Sequence, residues 1–159
     1  MNDSESLWEL KKQLWEFGSN LSEDQVSKLK GNISEVAGIA ANSEPKVRRE
    51  AVDLLSELTA HPNDKLKKFA IDKYAPFKEK RDAELLSLKI FYNELIKNSR
   101  LNYAEKAERV DRIERIAKET DFDYLRQFGA GCLQKFHDSR PNDDASDYAR
   151  RAFKRIKEV

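Results

Sequence analysis

The stretch VRREAVDLL, from Val47 to Leu55, sets an apolar, a small and a second apolar residue at four-residue intervals, and the same spacing returns three more times. The four triplets are Val47/Ala51/Leu55, Leu66/Ala70/Tyr74, Leu125/Gly129/Leu133 and Tyr148/Ala152/Ile156. Basic residues follow close behind the first apolar position each time: Arg48 and Arg49, Lys67 and Lys68, Arg126, Arg150 and Arg151. Four-residue spacing brings side chains onto one face of an α-helix. A small residue in the middle of that face lets a second helix cross close to the backbone, where a larger side chain would force the two apart. A unit of this kind cannot bury its apolar face alone, so it folds by stacking on neighbours, and such architectures serve binding more than any single chemistry.

The composition agrees with helices. Charged residues make up 37% of 159 positions, while there are only 5 Gly and 4 Pro to break a helix. The chain suits one domain or a short array of repeats. Thirty basic against 29 acidic side chains leave a formal charge of +1, so no global field draws the protein to nucleic acid or to an anionic membrane, and any basic surface must be local. One cysteine, Cys132, and two histidines, His61 and His137, offer neither an internal disulfide nor metal-ligand spacing. No stretch approaches the roughly 18 apolar residues that a membrane span requires, and the N-terminus carries acids where a secretory signal has a basic region. The expectation is a cytoplasmic protein with no metal and no cofactor.

Local signals divide the chain into about eight helices. Leu7, Leu10, Leu14 and Phe17 form a stripe that Gly18 ends. Ser22 and Gln25 make a capping box for the next helix, in which Gly31-Asn32 could introduce a bend or a break. Ser43-Glu44-Pro45 starts the helix of the first triplet, with the Ser43 hydroxyl as cap and proline where the backbone N–H has no partner. His61-Pro62-Asn63-Asp64 separates the second triplet, whose helix is expected to stop before Pro76. Leu85, Leu88, Phe91, Tyr92, Leu95 and Ile96 give the broadest apolar arc, which predicts a central buried helix closed by Asn98-Ser99-Arg100. A narrow stripe from Tyr103 to Ile116 follows. Asp121 is the expected cap of the third-triplet helix, and the turn Ser139 to Asp143 leads to the fourth.

The small residues lie 19, 59 and 23 positions apart, which excludes one strict period. The first pair of triplets repeats in the second pair at offsets of 78 and 82, or two units of roughly 40 residues. SEPKVRREAVDLLSEL, from Ser43 to Leu58, resembles the second-helix consensus of HEAT repeats, in which a turn proline or acid precedes V-R-x-x-A and an apolar pair. The resemblance covers that helix well, the other three triplets in part, and the segment from Arg81 to Glu119 not at all. It implies an all-α, α-α superhelix of three to four helix pairs over residues 1–159, without implying an activity. It also implies that Arg48, with Lys67 and Arg126 at the same place, belongs to an internal ladder that pairs with acids of a neighbouring repeat.

Two groups of residues are candidates for a site. Trp8 and Trp15 are seven apart on the first helix, more than a quarter turn from its leucine stripe, so they form either an aromatic interface for a partner or the margin of a wide buried arc that caps the array. Arg49, Lys68, Arg150, Arg151, Lys154 and Arg155 form a candidate basic strip, either a phosphate-contacting face or ordinary solvated cations. Cys132 is expected to be a buried, inert thiol. His137 is expected to interact with the C-terminus of its own helix, and His61 has no nucleophilic arrangement around it. The function expected on this reading is a non-catalytic interaction or scaffold module whose partner is another protein or a second copy. The alternative is nucleic-acid binding through the basic strip, as the HEAT-like DNA glycosylases illustrate for the fold.

Overall fold

The computed structural model describes residues 2–16, 20–98 and 100–159. Among them the chain forms seven α-helices and no strand: α1 (Asp3–Glu16), α2 (Glu23–Asn42), α3 (Pro45–Leu58), α4 (Asp64–Lys97), α5 (Tyr103–Glu119), α6 (Asp123–Ser139) and α7 (Ser146–Lys157). They fall into two compact units, Met1–Glu79 and Lys80–Val159. The expected stop at Gly18, the Phe17 end of the first stripe, and Ser99 lie outside the described residues.

In the first unit, α2 starts as its sequence requires. The Gln25 N–H donates to Ser22 Oγ at 3.2 Å, and the Ser22 N–H donates to Gln25 Oε1 at 2.9 Å. The helix runs through Gly31-Asn32 without a break, and Asn32 is turned inward, its Nδ2 donating to Gln13 Oε1 of α1 at 2.9 Å. Val26, Leu29, Ile33, Val36 and Ala40 bury one face of α2 against α3, which contributes Ala51, Val52, Leu54, Leu55 and Leu58. Leu7, Leu10 and Leu14 of α1 complete the core. Ser43 does not cap α3. Its hydroxyl donates instead to Asp3 of α1, Glu44 takes the N-cap place without a side-chain bond, and Pro45 opens the helix. His61 is buried, with Nε2 donating to the Leu14 carbonyl at 2.9 Å and Nδ1 accepting the Asn63 N–H at 3.0 Å, so one nitrogen holds the α3–α4 turn to α1 and the other braces the turn itself. Asn63 Oδ1 in turn accepts from the N–H groups of Lys65 and Leu66 and caps α4.

The expected break at Pro76 is absent, which is why seven helices stand where about eight were expected. Pro76 lies inside α4 on an exposed position, where water can satisfy the carbonyl that loses its N–H partner. Its flanks, rich in Lys, Glu, Ala and Leu, favour helix on both sides.

In the second unit, α5 begins with another capping box: the Glu105 N–H donates to Asn102 Oδ1 at 2.8 Å, and Glu105 Oε1 accepts the Asn102 N–H. The later part of α4 is less buried than its broad arc suggests. Leu88 and Leu95 are enclosed, the rest of the arc is half-exposed, and Leu86 and Ile90 on the opposite side are 60% and 46% exposed. Val110, Ile113 and Ala117 of α5 meet Leu125, Gly129, Ala130, Leu133 and Phe136 of α6, while α7 packs through Ala149, Ala152 and Ile156. Asp121 is not the cap of α6. It is buried and ion-paired to Lys80 at 3.5 Å, and Phe122 occupies the N-cap place. Thr120 Oγ1 donates to Glu84 Oε2 at 2.6 Å and accepts the Phe122 N–H; burial raises the Glu84 carboxyl above its ordinary value, and the Thr120 bond partly offsets this.

Of the twelve triplet positions, ten are buried; Val47 and Tyr148 are half-exposed. The crossing at Gly129 is the closest of the four glycines with described surroundings. A Cβ placed there would come within 2.8 Å of Ala117 Cβ and 3.6 Å of Leu88 Cδ2, whereas one at Gly131 would meet nothing within 4 Å. Gly129→Ala should therefore destabilise the protein by about 1–3 kcal/mol through overpacking, while Gly131→Ala should stabilise it by about 1 kcal/mol through helix propensity. Urea unfolding followed by circular dichroism reads both signs, and a stabilising Gly129→Ala would refute the close crossing.

Candidate functional site

The aromatic candidates on α1 separate when folded. Trp8 is 62% exposed, with Lys12 Nζ over its ring at 5.5 Å. Trp15 is 40% exposed and leans on the ring of buried His61, at 5.0 Å between centroids. Neither belongs to a wide buried arc. Trp15 covers a core histidine, and Trp8 stands out from its helix.

Trp8 borders a groove because of how α1 and α3 run. Asp3 bonds Ser43, which precedes α3, and Lys11 pairs at 3.7 Å with Glu57 near its end, so the two helices lie parallel, both resting on α2. Leu7 and Leu54, both buried, form the floor of an open hollow of about 340 Å³. Ser4, Trp8 and Lys11 make one wall, and Glu50, Asp53 and Glu57 make the other. Glu5 and Glu9 border a second hollow on the other side of Trp8, and a third, at the N-terminal end, reaches Val47 through Ser4. The indole thus stands between two sets of carboxylates.

The acidic wall was missed from sequence, although its signal is present. Glu50, Asp53 and Glu57 recur at three- and four-residue steps, which places them together on one edge of α3 beside Leu54. What sequence cannot supply is that α1 stands parallel to that edge.

The basic candidates fall in both units. Arg49 on α3 is half-buried and has a partner, and Lys68 on α4 is exposed; both lie in the first unit. The four on α7 lie in the second. Of these, Arg155 is bound through two nitrogens to Glu114 of α5, at 2.6 and 2.8 Å, and this bond holds the Glu114 carboxyl below its ordinary range. Arg151 lies over the Tyr148 ring at 5.8 Å. Arg150 and Lys154 are exposed beside Phe153, where they border a hollow of about 480 Å³ with Gln134, His137 and Asp138.

Two of the three ladder residues, Arg48 and Arg126, also have local partners. Arg48 donates to the Ser43 carbonyl at 3.3 Å. Arg126 pairs with Asp123 of its own helix at 2.7 and 2.9 Å and donates to the Ile156 carbonyl, so its acid comes from α6 and not from a neighbouring repeat. Lys67 is exposed and outside the packed face. His137 bonds across to α7, with Nδ1 at 2.7 Å from Ser146 Oγ, and does not cap its own helix. Cys132 is buried, and burial pushes its thiol up to about 11, which leaves it protonated and unreactive at neutral pH. Among the described residues no three His, Cys, Asp or Glu side chains are grouped to hold a metal ion, and no helix is long and apolar enough to cross a membrane.

No family model, curated protein or solved structure matches the chain.

The two tryptophans should behave differently on truncation. Trp15→Ala removes the aromatic contact with His61 and should lower stability by about 1–2 kcal/mol, whereas Trp8→Ala should cost less than about 1 kcal/mol. Thermal unfolding of the two variants checks this. Equal losses would place Trp8 in the core.

Proposed function

We propose that the chain is a non-catalytic, cytoplasmic protein-interaction module of HEAT-like helical repeats, with the Trp8 groove as its contact surface. The observation that carries this reading is the exposure of a large indole beside a groove with an apolar floor. A tryptophan left in water contributes little to folding, whereas buried under a partner it is among the strongest contributors to an interface. The groove is open and elongated, which suits a segment of another chain better than a small molecule enclosed on all sides.

The HEAT-like part of the reading draws support from the order of helices in each unit. α2 and α5 both open with a capping box, α3 and α6 carry the triplets of Ala51 and Gly129, and α7 carries the same triplet spacing as the first part of α4. The nucleic-acid alternative has less support. Arg155 is neutralised by Glu114, Arg49 has a partner within the protein and Arg151 lies over the Tyr148 ring, so fewer of the candidate cations are left for the phosphate contacts that give strong, salt-dependent affinity.

The test is recovery of tagged full-length protein from its native host without nuclease treatment, comparing the wild type with Trp8→Ala. Particular proteins should accompany the wild type and be lost with the variant, and purified protein should give no salt-dependent shift of labelled DNA or RNA. Identical protein partners for both chains would contradict the groove as the contact surface, and a gel shift that strengthens steeply as salt falls would favour phosphate binding.

A further inference from the structure

The two units answer a question that neither answers alone: which features of the Trp8 groove does the fold require? In the second unit the later part of α4 and α6 also run parallel, since Thr120, before α6, bonds Glu84, and Arg140, after α6, donates to the Ile96 carbonyl. The core leucines correspond, Leu7 and Leu14 with Leu88 and Leu95 at an offset of 81, and Leu54 with Cys132 at the offset of 78 that relates α3 to α6. At the same offsets Trp8 corresponds to Lys89, and Glu50, Asp53 and Glu57 correspond to Phe128, Gly131 and Lys135. The same helix arrangement therefore forms with no tryptophan and no acidic wall. The floor belongs to the fold, while the indole and the carboxylates are additions to it.

We infer that the Trp8 groove takes a basic segment of a partner protein, in which a lysine or arginine lies against the indole and its charge meets the carboxylates of the α3 wall. This rests on the proposed interaction role and names the chemistry of the partner. The π-face of an indole attracts cations, and the position of Lys12 over Trp8 shows that its ring accepts an ammonium group in this chain. Glu50 and Glu57 are exposed on one side, and Glu5 and Glu9 border the hollow on the other; the cations at the site among the described residues are Lys11, paired with Glu57, and Lys12, over the indole, so acids outnumber them. An acidic segment would meet this ring of carboxylates at a cost, and a neutral one would leave it unused. Buried Leu7 and Leu54 add an apolar floor, so the fitting segment carries aliphatic residues beside its cation.

The test uses full-length protein labelled with nitrogen-15, in which each tryptophan gives its own indole N–H signal. Two amphipathic helical peptides serve as probes, one of leucine and lysine and one of leucine and glutamate in the same pattern. The leucine–lysine peptide should shift the Trp8 signal saturably, and Glu50→Lys/Glu57→Lys should weaken its affinity about tenfold or more. The control Glu35→Lys/Asp72→Lys makes the same change in net charge on exposed positions away from the groove, and should change affinity less than twofold. Failure of the leucine–lysine peptide to bind, or equal weakening by the control pair, would overturn the inference. Trp8-dependent binding of the leucine–glutamate peptide in its place would overturn the basic chemistry alone and leave the groove as an interaction surface. Binding by either peptide that persists unchanged in Trp8→Ala would overturn both.

Discussion

The close approach of helices at small residues is the constraint on which the rest of the structure depends. Ala51, Ala70, Gly129 and Ala152 are buried in the interiors of their helices, each flanked by larger apolar residues one turn away. Backbones can approach closely only where a side chain ends at Cβ or is absent, and the flanking leucines then interlock with the neighbouring helix. At Gly129 even a methyl group has no room. Gly129 costs about 1 kcal/mol of helix propensity relative to alanine, and the packing it permits against Ala117, Leu88 and Ile113 offsets that cost.

With the interior fixed by these crossings, the exterior is free to carry function, and it differs between the units. The α1–α3 edge has Trp8 and three acids; the corresponding edge of α4 and α6 has Lys89, Phe128, Gly131 and Lys135. Charge is also sorted locally despite the near-neutral total. The α3 edge beside Trp8 is acidic, whereas α7 has five cations and one acid. A near-zero net charge thus conceals surfaces of opposite character, and it is the local surface that selects a partner.

The helices were legible because their signals are local. Spacing at three and four residues gave the buried faces of α2, α3, α6 and α7, and the Ser22–Gln25 capping box was readable from four residues. The errors arose where a tertiary partner outweighed a local preference. Ser43 and Asp121 both look like helix caps, but Asp3 and Lys80, 40 or so residues away, engage them instead. Pro76 signals a stop, yet on an exposed turn with strong helix formers on both sides it is tolerated. The site was half legible. The unusual face of α1 marked Trp8, but spacing could not tell its fate from that of Trp15, because burial of a residue on an end helix depends on what stands beside it. The acidic wall became visible only once α1 and α3 were seen to run parallel.

The central claim, that small residues at the helix crossings hold each unit together, is tested most directly by enlarging one of them in each. Urea unfolding of Ala51→Leu and Ala152→Leu should show a loss of at least about 1–3 kcal/mol in both, since each leucine would have to enter a space filled by a neighbouring helix. Unchanged stability in either variant would mean that the crossing has room to spare, and would contradict the account.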